Sequence, residues 1–295
     1  MTLDLYKLEH FIAVCEEGSF TRAAERLHLS QQALSSSVRA LEREVGAPLL
    51  DRSGGKVSPR PAGESLLTDA RVLSGLAHSA LQRAIRVDAG DKDVLRIGHT
   101  PAVTVDEVTE LIYTARESGV SVETEVNQRY PAELTEQLVY GEIDIGLCRA
   151  MSPTGGISRD VVTWQPLRVA VPSDHPLASA EKLTLLDLQD ESIMVWGTPG
   201  NSGYTDFLVQ QCRSAGFEPH IFRNPVQGTP PISAVVGTGH IAFVTARPGP
   251  AAGGRARVIE LDQAARVPLG ALTARHLENP SRDAFLRAAT NTQLD

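Results

Sequence analysis

Residues 30–42 read SQQALSSSVRALE, a helix-length stretch whose chemistry is carried by amides and hydroxyls. Three consecutive serines, Ser35 to Ser37, are poor helix formers. Apolar residues nonetheless recur at helical spacing: Leu34, Val38, Leu41 and Val45 fall at i, i+4, i+7 and i+11. With that face inward, Gln31, Gln32, Ser35, Ser36 and Arg39 point outward. Such groups can read base edges in a DNA major groove. Gln pairs bidentately with adenine N6 and N7, and Ser donates to or accepts from several bases. Ser30, at the helix start, and the first backbone N–H groups can meet a phosphate. The ordinary alternative for Gln and Ser on a helix is a solvated face.

The neighbouring residues supply the elements that would present this face. Leu5, Leu8, Phe11, Ile12 and Cys15 have helical spacing, and Gly18 ends that helix. Ser19 caps a short second helix with Ala23, Ala24 and Leu27 inward. HLS breaks the pattern, Ser30 caps the third helix, and Gly46 stops it. PLLDRSGGKVSP then reads as a hairpin with a Gly-Gly turn, placing Arg52 and Lys56 on a wing within reach of phosphates or a narrow minor groove. Three small helices and a hairpin make a winged helix-turn-helix.

A long helix follows. Leu66, Ala70, Leu73, Ala77, Ala80, Leu81 and Ala84 form an apolar stripe, and Pro61 suits the first turn. The stripe needs a partner: either the chain's own second domain or the same helix of a second subunit. DAGDKD, residues 88–93, reads as a polar hinge.

From residue 94 strands and helices alternate. Strands are expected at 94–99, 120–125, 143–148, 167–172, 192–196, 220–225, 240–246 and 267–274. Helices are expected at 105–117, 131–140 and about 203–215, 230–238 and 281–290. Such alternation implies parallel sheets. Two runs, joined near 165–168 and 262–267, suggest two lobes with a double crossover. The expected organisation is a DNA-binding domain at 1–60, a linker helix at 61–90 and an α/β domain at 91–295. Its first lobe spans about 91–165 and 267–295, and its second about 166–266.

Ligands in open α/β folds sit at the C-terminal ends of strands, and a cleft between lobes is a preferred pocket. Strand ends at His99-Thr100-Pro101, Asn127-Gln128-Arg129-Tyr130 and Cys148-Arg149 meet that description. TPGNSGYT (198–205) leads into a helix, where Asn201, Ser202 and Gly203 offer donors at a positive helix end, a natural anion site. Pro225-Val226-Gln227-Gly228 leads to the next helix. Each of these has an equally ordinary reading as loop capping. Arg149 reads equally as a carboxylate partner or a surface salt bridge.

The composition narrows the class. A chain of 295 residues with a net charge of −8 is no global polycation. Residues 1–63 are neutral, so any DNA contact rests on local placement of Arg and Lys. Cys15, Cys148 and Cys212 are far apart, with no CxxC or Cys/His cluster, so neither a zinc site nor another metal or cofactor is expected. The sparse cysteines suit a reducing compartment, and no apolar run or leader pattern suggests a membrane. A soluble cytoplasmic protein is expected. GxSxG, P-loop and GxGxxG patterns are missing, and the carboxylates of GEIDIG (Glu142, Asp144) fall on one strand face without a partner acid, reading as a solvent edge. A catalytic role is not expected.

Residues 5–63 resemble the DNA-binding domain of LysR-type transcriptional regulators. The resemblance rests on Leu8, Phe11, Val14, Gly18-Ser19-Phe20-Thr21, Ala23-Ala24, Leu27, Ser30-Gln31, Ala33-Leu34-Ser35, Val38, Leu41-Glu42, Gly46, Pro48-Leu49, Arg52 and Ala62-Gly63. LVYGEIDIGL (138–147) and VPSDHPLA (171–178) resemble that family's effector-binding domain. The resemblance implies a two-lobed, periplasmic-binding-protein-like effector domain with Rossmann-like lobes. It implies a small-molecule effector, which the helix start at Asn201-Ser202 favours as a carboxylate, held near Thr100, the Gln128 loop, Asn201-Ser202 and Val226-Gln227. It further implies double-stranded DNA with an interrupted palindromic operator, a dimer through residues 61–88, and a tetramer through the second domains. Cys148 and Cys212 read as a redox pair, as in peroxide-sensing relatives, or as buried thiols. Three positions depart from the family: Gln32 stands where Pro is usual, Ser36 where Arg is frequent, and Arg60 where a Thr cap is usual. The reading from another class is a small-molecule-binding α/β protein whose N-terminal module meets a protein partner.

Overall fold

The computed structural model describes residues 3–53, 55–89, 94–153, 155–226, 228–263 and 265–291. Most of the expected hinge at 88–93 lies outside them. The first three helices are α1 (Leu5–Glu17), α2 (Phe20–Arg26) and α3 (Gln31–Val45), and the wing is β1 (Leu50–Asp51) paired antiparallel with β2 (Ser58–Pro59). The stops and caps are those the sequence dictates. Gly18 and Gly46 close their helices in the left-handed region, at φ 58° and 78°. The Ser19 hydroxyl accepts from Arg22 N–H, and that of Ser30 from Ala33 N–H at 3.1 Å. His28, at φ 55°, turns the chain between α2 and α3. Leu8, Phe11, Val14, Ala23, Leu34, Val38, Leu41 and Leu49 are fully buried together.

Helix α4 (Pro61–Ala89) is 29 residues long, roughly 43 Å of rod. It packs on α1 and on the helix Pro131–Tyr140 of the next domain. The stripe therefore packs in part on the chain's own second domain, the first of the partners considered above. One face is covered within the chain, burying Ala70, Ser74 and Ser79, while Leu73, Leu76, Leu81 and Ile85 stay exposed. Glycines make the covered face possible. A Cβ at Gly63 would lie 2.1 Å from Leu49 O, and one at Gly75 2.0 Å from Val139 O.

The α/β domain begins with β3 (Val94–His99), α5 (Val105–Glu117), β4 (Glu123–Gln128), α6 (Pro131–Tyr140), β5 (Ile145–Arg149) and β6 (Ile157–Pro166). The second lobe runs through β7 (Arg168–Pro172), β8 (Lys182–Leu183), β9 (Ser192–Val195), α7 (Gly203–Ser214), β10 (His220–Arg223), α8 (Pro231–Ala234), β11 (His240–Val244), β12 (Gly249–Ala251) and β13 (Ala256–Leu261). Strand β14 (Arg266–Ala274) returns to the first lobe, and α9 (Pro280–Asn291) packs on α5. The first sheet has the order β4-β3-β5-β14-β6; the second has β10-β9-β11-β7-β13-β12, with β8 beside β13.

Several expectations are corrected. The sheets are mixed, not parallel: β14 runs antiparallel to β5 and β6, and β7 to β11 and β13. Both β6 and β14 are crossover strands. One leaves the lobe and the other enters it, so they pair in opposite directions. The strand expected at 120–125 begins three residues later, and that at 220–225 ends two earlier. Strands β6, β8, β12 and β13 had no counterpart in the sequence reading. The helix expected at 230–238 is one turn, ended where Val235 turns into the core. Asp144 is not a solvent edge. Its carboxylate accepts from Arg96 N–H at 2.8 Å and from Asn279 Nδ2 at 2.9 Å, stapling β3 to the segment before α9.

Candidate functional sites

On α3 the buried residues are Leu34, Val38 and Leu41. Opposite them Gln31, Gln32, Ser36 and Arg39 are exposed, and Ser35 is half-buried. Among the described residues none of these five side chains has a hydrogen-bond or ion-pair partner. Ser37, by contrast, bonds His10 Nδ1 at 2.7 Å and belongs to the α1–α3 packing. Five polar side chains thus share one face with nothing among the described residues to hold them.

The two wing cations differ. Lys56 is exposed, and its stem crosses Gly18, where a Cβ would come within 2.8 Å of Lys56 Cε. Val57 N–H donates to Gly18 O at 2.9 Å, tying the wing to the α1–α2 turn. Arg52 is engaged within the protein. It lies 4.7 Å above the Phe20 ring and 3.3 Å from Glu42 Oε2, while Glu42 Oε1 accepts from Leu49 N–H at 2.9 Å. Its charge is largely committed to fixing the hairpin on α3.

The second site is a cavity of 520 Å³ between the lobes. Thr100, Arg149, Asn201 and Ser202 line it, as the strand-end reading expects. Gln128 does not, because β4 carries it past the wall; its backbone carbonyl accepts from Arg129 Nη1, and Tyr130 and Pro131 line the cavity instead. Val226 is exposed and off the wall, because β10 ends earlier and brings Arg223 there. Gln227 lies outside the described residues. Ser202 caps α7, its hydroxyl accepting from Thr205 N–H. The apolar walls include Met151, Met194, Trp196, Tyr204, Ile232 and Phe243.

Arg149 is not a surface salt bridge. Its side chain is 0 % exposed. Nε donates to Ala102 O at 3.0 Å, and Nη2 faces Glu107, Gln165 and, at 3.0 Å, Thr245 Oγ1. Thr245 Oγ1 also donates to Glu107 Oε1 at 2.8 Å, so a network joins α5 and β5 of one lobe to the end of β11 in the other. Glu107 Oε2 meanwhile accepts from Thr104 N–H at 2.8 Å as part of the α5 capping box. Two residues lining the cavity each hold a buried polar atom with no partner among the described residues: Arg149 Nη1 and Thr100 Oγ1. No Asp or Glu lines the cavity among the described residues, while Arg149 and Arg223 do. Burial pushes the Tyr204 hydroxyl up to about 12, so it stays protonated. On the floor, Ala150 adopts φ 48°, and its carbonyl lies 2.3 Å from where a Cβ on Gly203 would sit. The lobes therefore touch backbone to backbone there.

Glu107 and Arg223 have no place in the sequence expectations for the site, whereas Tyr130 ends the expected loop at 127–130. The T-x-x-E pattern of Thr104-Val105-Asp106-Glu107 was the available signal for the first. Cys148 and Cys212 are both buried free thiols, and desolvation pushes each up to about 11. Among the described residues no cluster of three or more His, Cys, Asp or Glu could hold a metal ion, and no helix is long and apolar enough to cross a membrane.

Comparison with known proteins agrees with this anatomy. The family model of the bacterial regulatory helix-turn-helix protein, lysR family, matches residues 5–64. That of the LysR substrate binding domain matches residues 88–293. The HTH-type transcriptional regulator AlsR of Bacillus subtilis (strain 168) is 32% identical over 230 residues, 76% of this chain and 74% of AlsR. The Hca operon transcriptional activator HcaR of Escherichia coli (strain K12) is 36% identical over 186 residues, 63% of this chain and 62% of HcaR. The crystal structure of CbnR, a LysR family transcriptional regulator, superposes with a TM-score of 0.59 at 22% identity, over 99% of this chain and 100% of that one. Full-length CbnR in complex with its target DNA superposes with a TM-score of 0.60, over 98% of this chain and 100% of that one. At that identity the likeness speaks for the fold.

Proposed function

The chain belongs to the LysR family, as a DNA-binding transcriptional regulator with an effector-binding domain, and on that premise we propose how its parts divide the work. The family is one of regulators, not enzymes, and its members bind DNA and small-molecule effectors and oligomerise. Residues 1–60 are the DNA-binding domain and 61–90 the linker and dimerisation helix. Residues 91–295 are the effector domain, with lobe 1 at about 91–165 and 267–295 and lobe 2 at about 166–266. Helix α3 enters the major groove. Gln31, Gln32, Ser35 and Ser36 read base edges, Arg39 and Lys56 meet phosphates, and the α3 N-terminus at Ser30 meets another. Arg52 holds the wing in register and contributes charge only secondarily. The observation that carries this reading is the polar face of α3 left without a partner among the described residues.

Gel-shift titration against upstream genomic fragments tests it. Binding to one fragment that weakens steeply with salt is expected, and no salt-sensitive binding to any fragment refutes it.

The effector is a carboxylate seated on Arg149 Nη1 and Thr100 Oγ1. Two buried donors without acceptors, in residues of a lining that among the described residues holds two arginines and no carboxylate, support this. Thermal-shift screening of the full chain with small carboxylic acids and their amides checks it. Stabilisation by acids over amides is expected. The exposed stripe of Leu73, Leu76, Leu81 and Ile85 pairs with its copy in a second subunit, and the effector domains complete a tetramer on an interrupted palindrome. Sedimentation velocity distinguishes dimer from tetramer. A DNA target puts the working protein in the cytoplasm.

A further inference from the structure

We propose that Glu107 is the specificity-determining residue of the inter-lobe cavity: an internal carboxylate that occupies one side of Arg149 and sets how strongly the cavity favours an anion. The proposal rests on the cavity being the effector site. Arg149 is always charged and here fully buried, so it needs a counter-charge inside the protein. Glu107 supplies it from the first turn of α5. Nη1 of the same guanidinium is buried without a partner among the described residues, and Arg149 belongs to the cavity lining. A ligand carboxylate on Nη1 would therefore share one cation with Glu107, and the two negative groups would repel at short range in a poorly screened interior.

Glu107 thus lowers anion affinity by design of position, not by contact with the ligand. It does not line the cavity. It also joins the lobes: its Oε1 takes the hydroxyl of Thr245, from the second lobe, at 2.8 Å. An anion that draws the guanidinium toward Nη1 weakens Glu107's hold on Arg149. The residue that restrains the ligand is then the one whose inter-lobe bond registers its arrival. Without Glu107 the cavity would bind carboxylates tightly and indiscriminately. With it, the apolar walls around Trp196, Tyr204 and Phe243 must contribute, so shape decides.

The test uses the full chain carrying Trp164→Phe, which leaves Trp196 on the cavity wall as the reporter of two tryptophans. Fluorescence titrations with benzoate and with benzamide, its uncharged counterpart, are run with Glu107 intact, in Glu107→Gln and in Thr245→Val. The readout is the ratio of the two affinities, which a general loss of packing does not move. Glu107→Gln is expected to raise the benzoate-to-benzamide ratio by about tenfold or more, and Thr245→Val to change it less than about twofold. A ratio unchanged by Glu107→Gln, with benzoate still bound, overturns the role of Glu107 and leaves the carboxylate cavity standing. Failure of millimolar benzoate to bind any of the three folded variants overturns both readings together.

Discussion

The α3 face and the inter-lobe cavity handle polar chemistry in opposite ways. On α3 the functional groups sit in water with no partner, and their cost in the free protein is small because solvent satisfies them. Around Arg149 in the cavity wall the groups are packed inside, and Ala102, Glu107, Gln165 and Thr245 match its Nε and Nη2. Among the described residues that line the cavity, Arg149 Nη1 and Thr100 Oγ1 are buried without a partner. A surface that must meet a large, flat, charged partner keeps all its groups free. A pocket that must respond to one small molecule keeps few, and the rest hold those few in place. Mutations should therefore act on recognition alone in the first region, and on recognition and stability together in the second.

The largest expected effect breaks the buried network. Arg149→Met leaves Glu107 buried without its counter-charge and should lower stability by about 3–5 kcal/mol, read from urea unfolding of the full chain. A drop of that size at any α3 outer residue would erase the contrast. Next, Gly75→Ala pushes α4 off α6 and should cost about 1–3 kcal/mol in the same assay. Gln31→Ala should cost about 1–3 kcal/mol of binding at the cognate site, far less on random DNA, and nothing in stability. Equal losses on both DNAs would mean that Gln31 does not read bases. Lys56→Ala should weaken all sequences alike and flatten the salt slope by about one charge. Arg52→Ala should change that slope less than Lys56→Ala does, while lowering stability by about 1 kcal/mol through Phe20 and Glu42. The smallest signal is chemical. With their thiols raised to about 11, Cys148 and Cys212 are about one part in a thousand thiolate at pH 8, so aromatic disulfide reagents should reach them only after denaturation. Fast reaction of either in the native protein would reopen the redox reading.

How much could be read from residue order follows the range of the interactions. In the first sixty residues every cap, stop and apolar stripe is local. Ser19, Ser30, Gly18 and Gly46 act within a few positions, and the outward face of α3 follows directly. The cavity is the reverse. Arg149 finds its partners 47, 42, 16 and 96 residues away, which no spacing rule anticipates. Arg223 was missed because the strand was read two residues too long, which put Val226 at its tip. Strand β6 was missed because ISRDVVTWQP does not alternate cleanly: both Val161 and Trp164 face outward across a register shift in its pairing with β14. The antiparallel crossover pair depends on where the chain re-enters the lobe, and only the folded topology contains that information.

The two glycines under α4 have one more consequence. Gly63 seats the helix on Leu49 of the winged domain, and Gly75 seats it on Val139 of lobe 1. Twelve residues of helix, about 18 Å, separate these seats. A stiff rod riveted at both points removes the relative degrees of freedom between the reading head and the lobe it is fastened to. Any shift of lobe 1 is therefore passed along α4 to the winged domain instead of being absorbed between them.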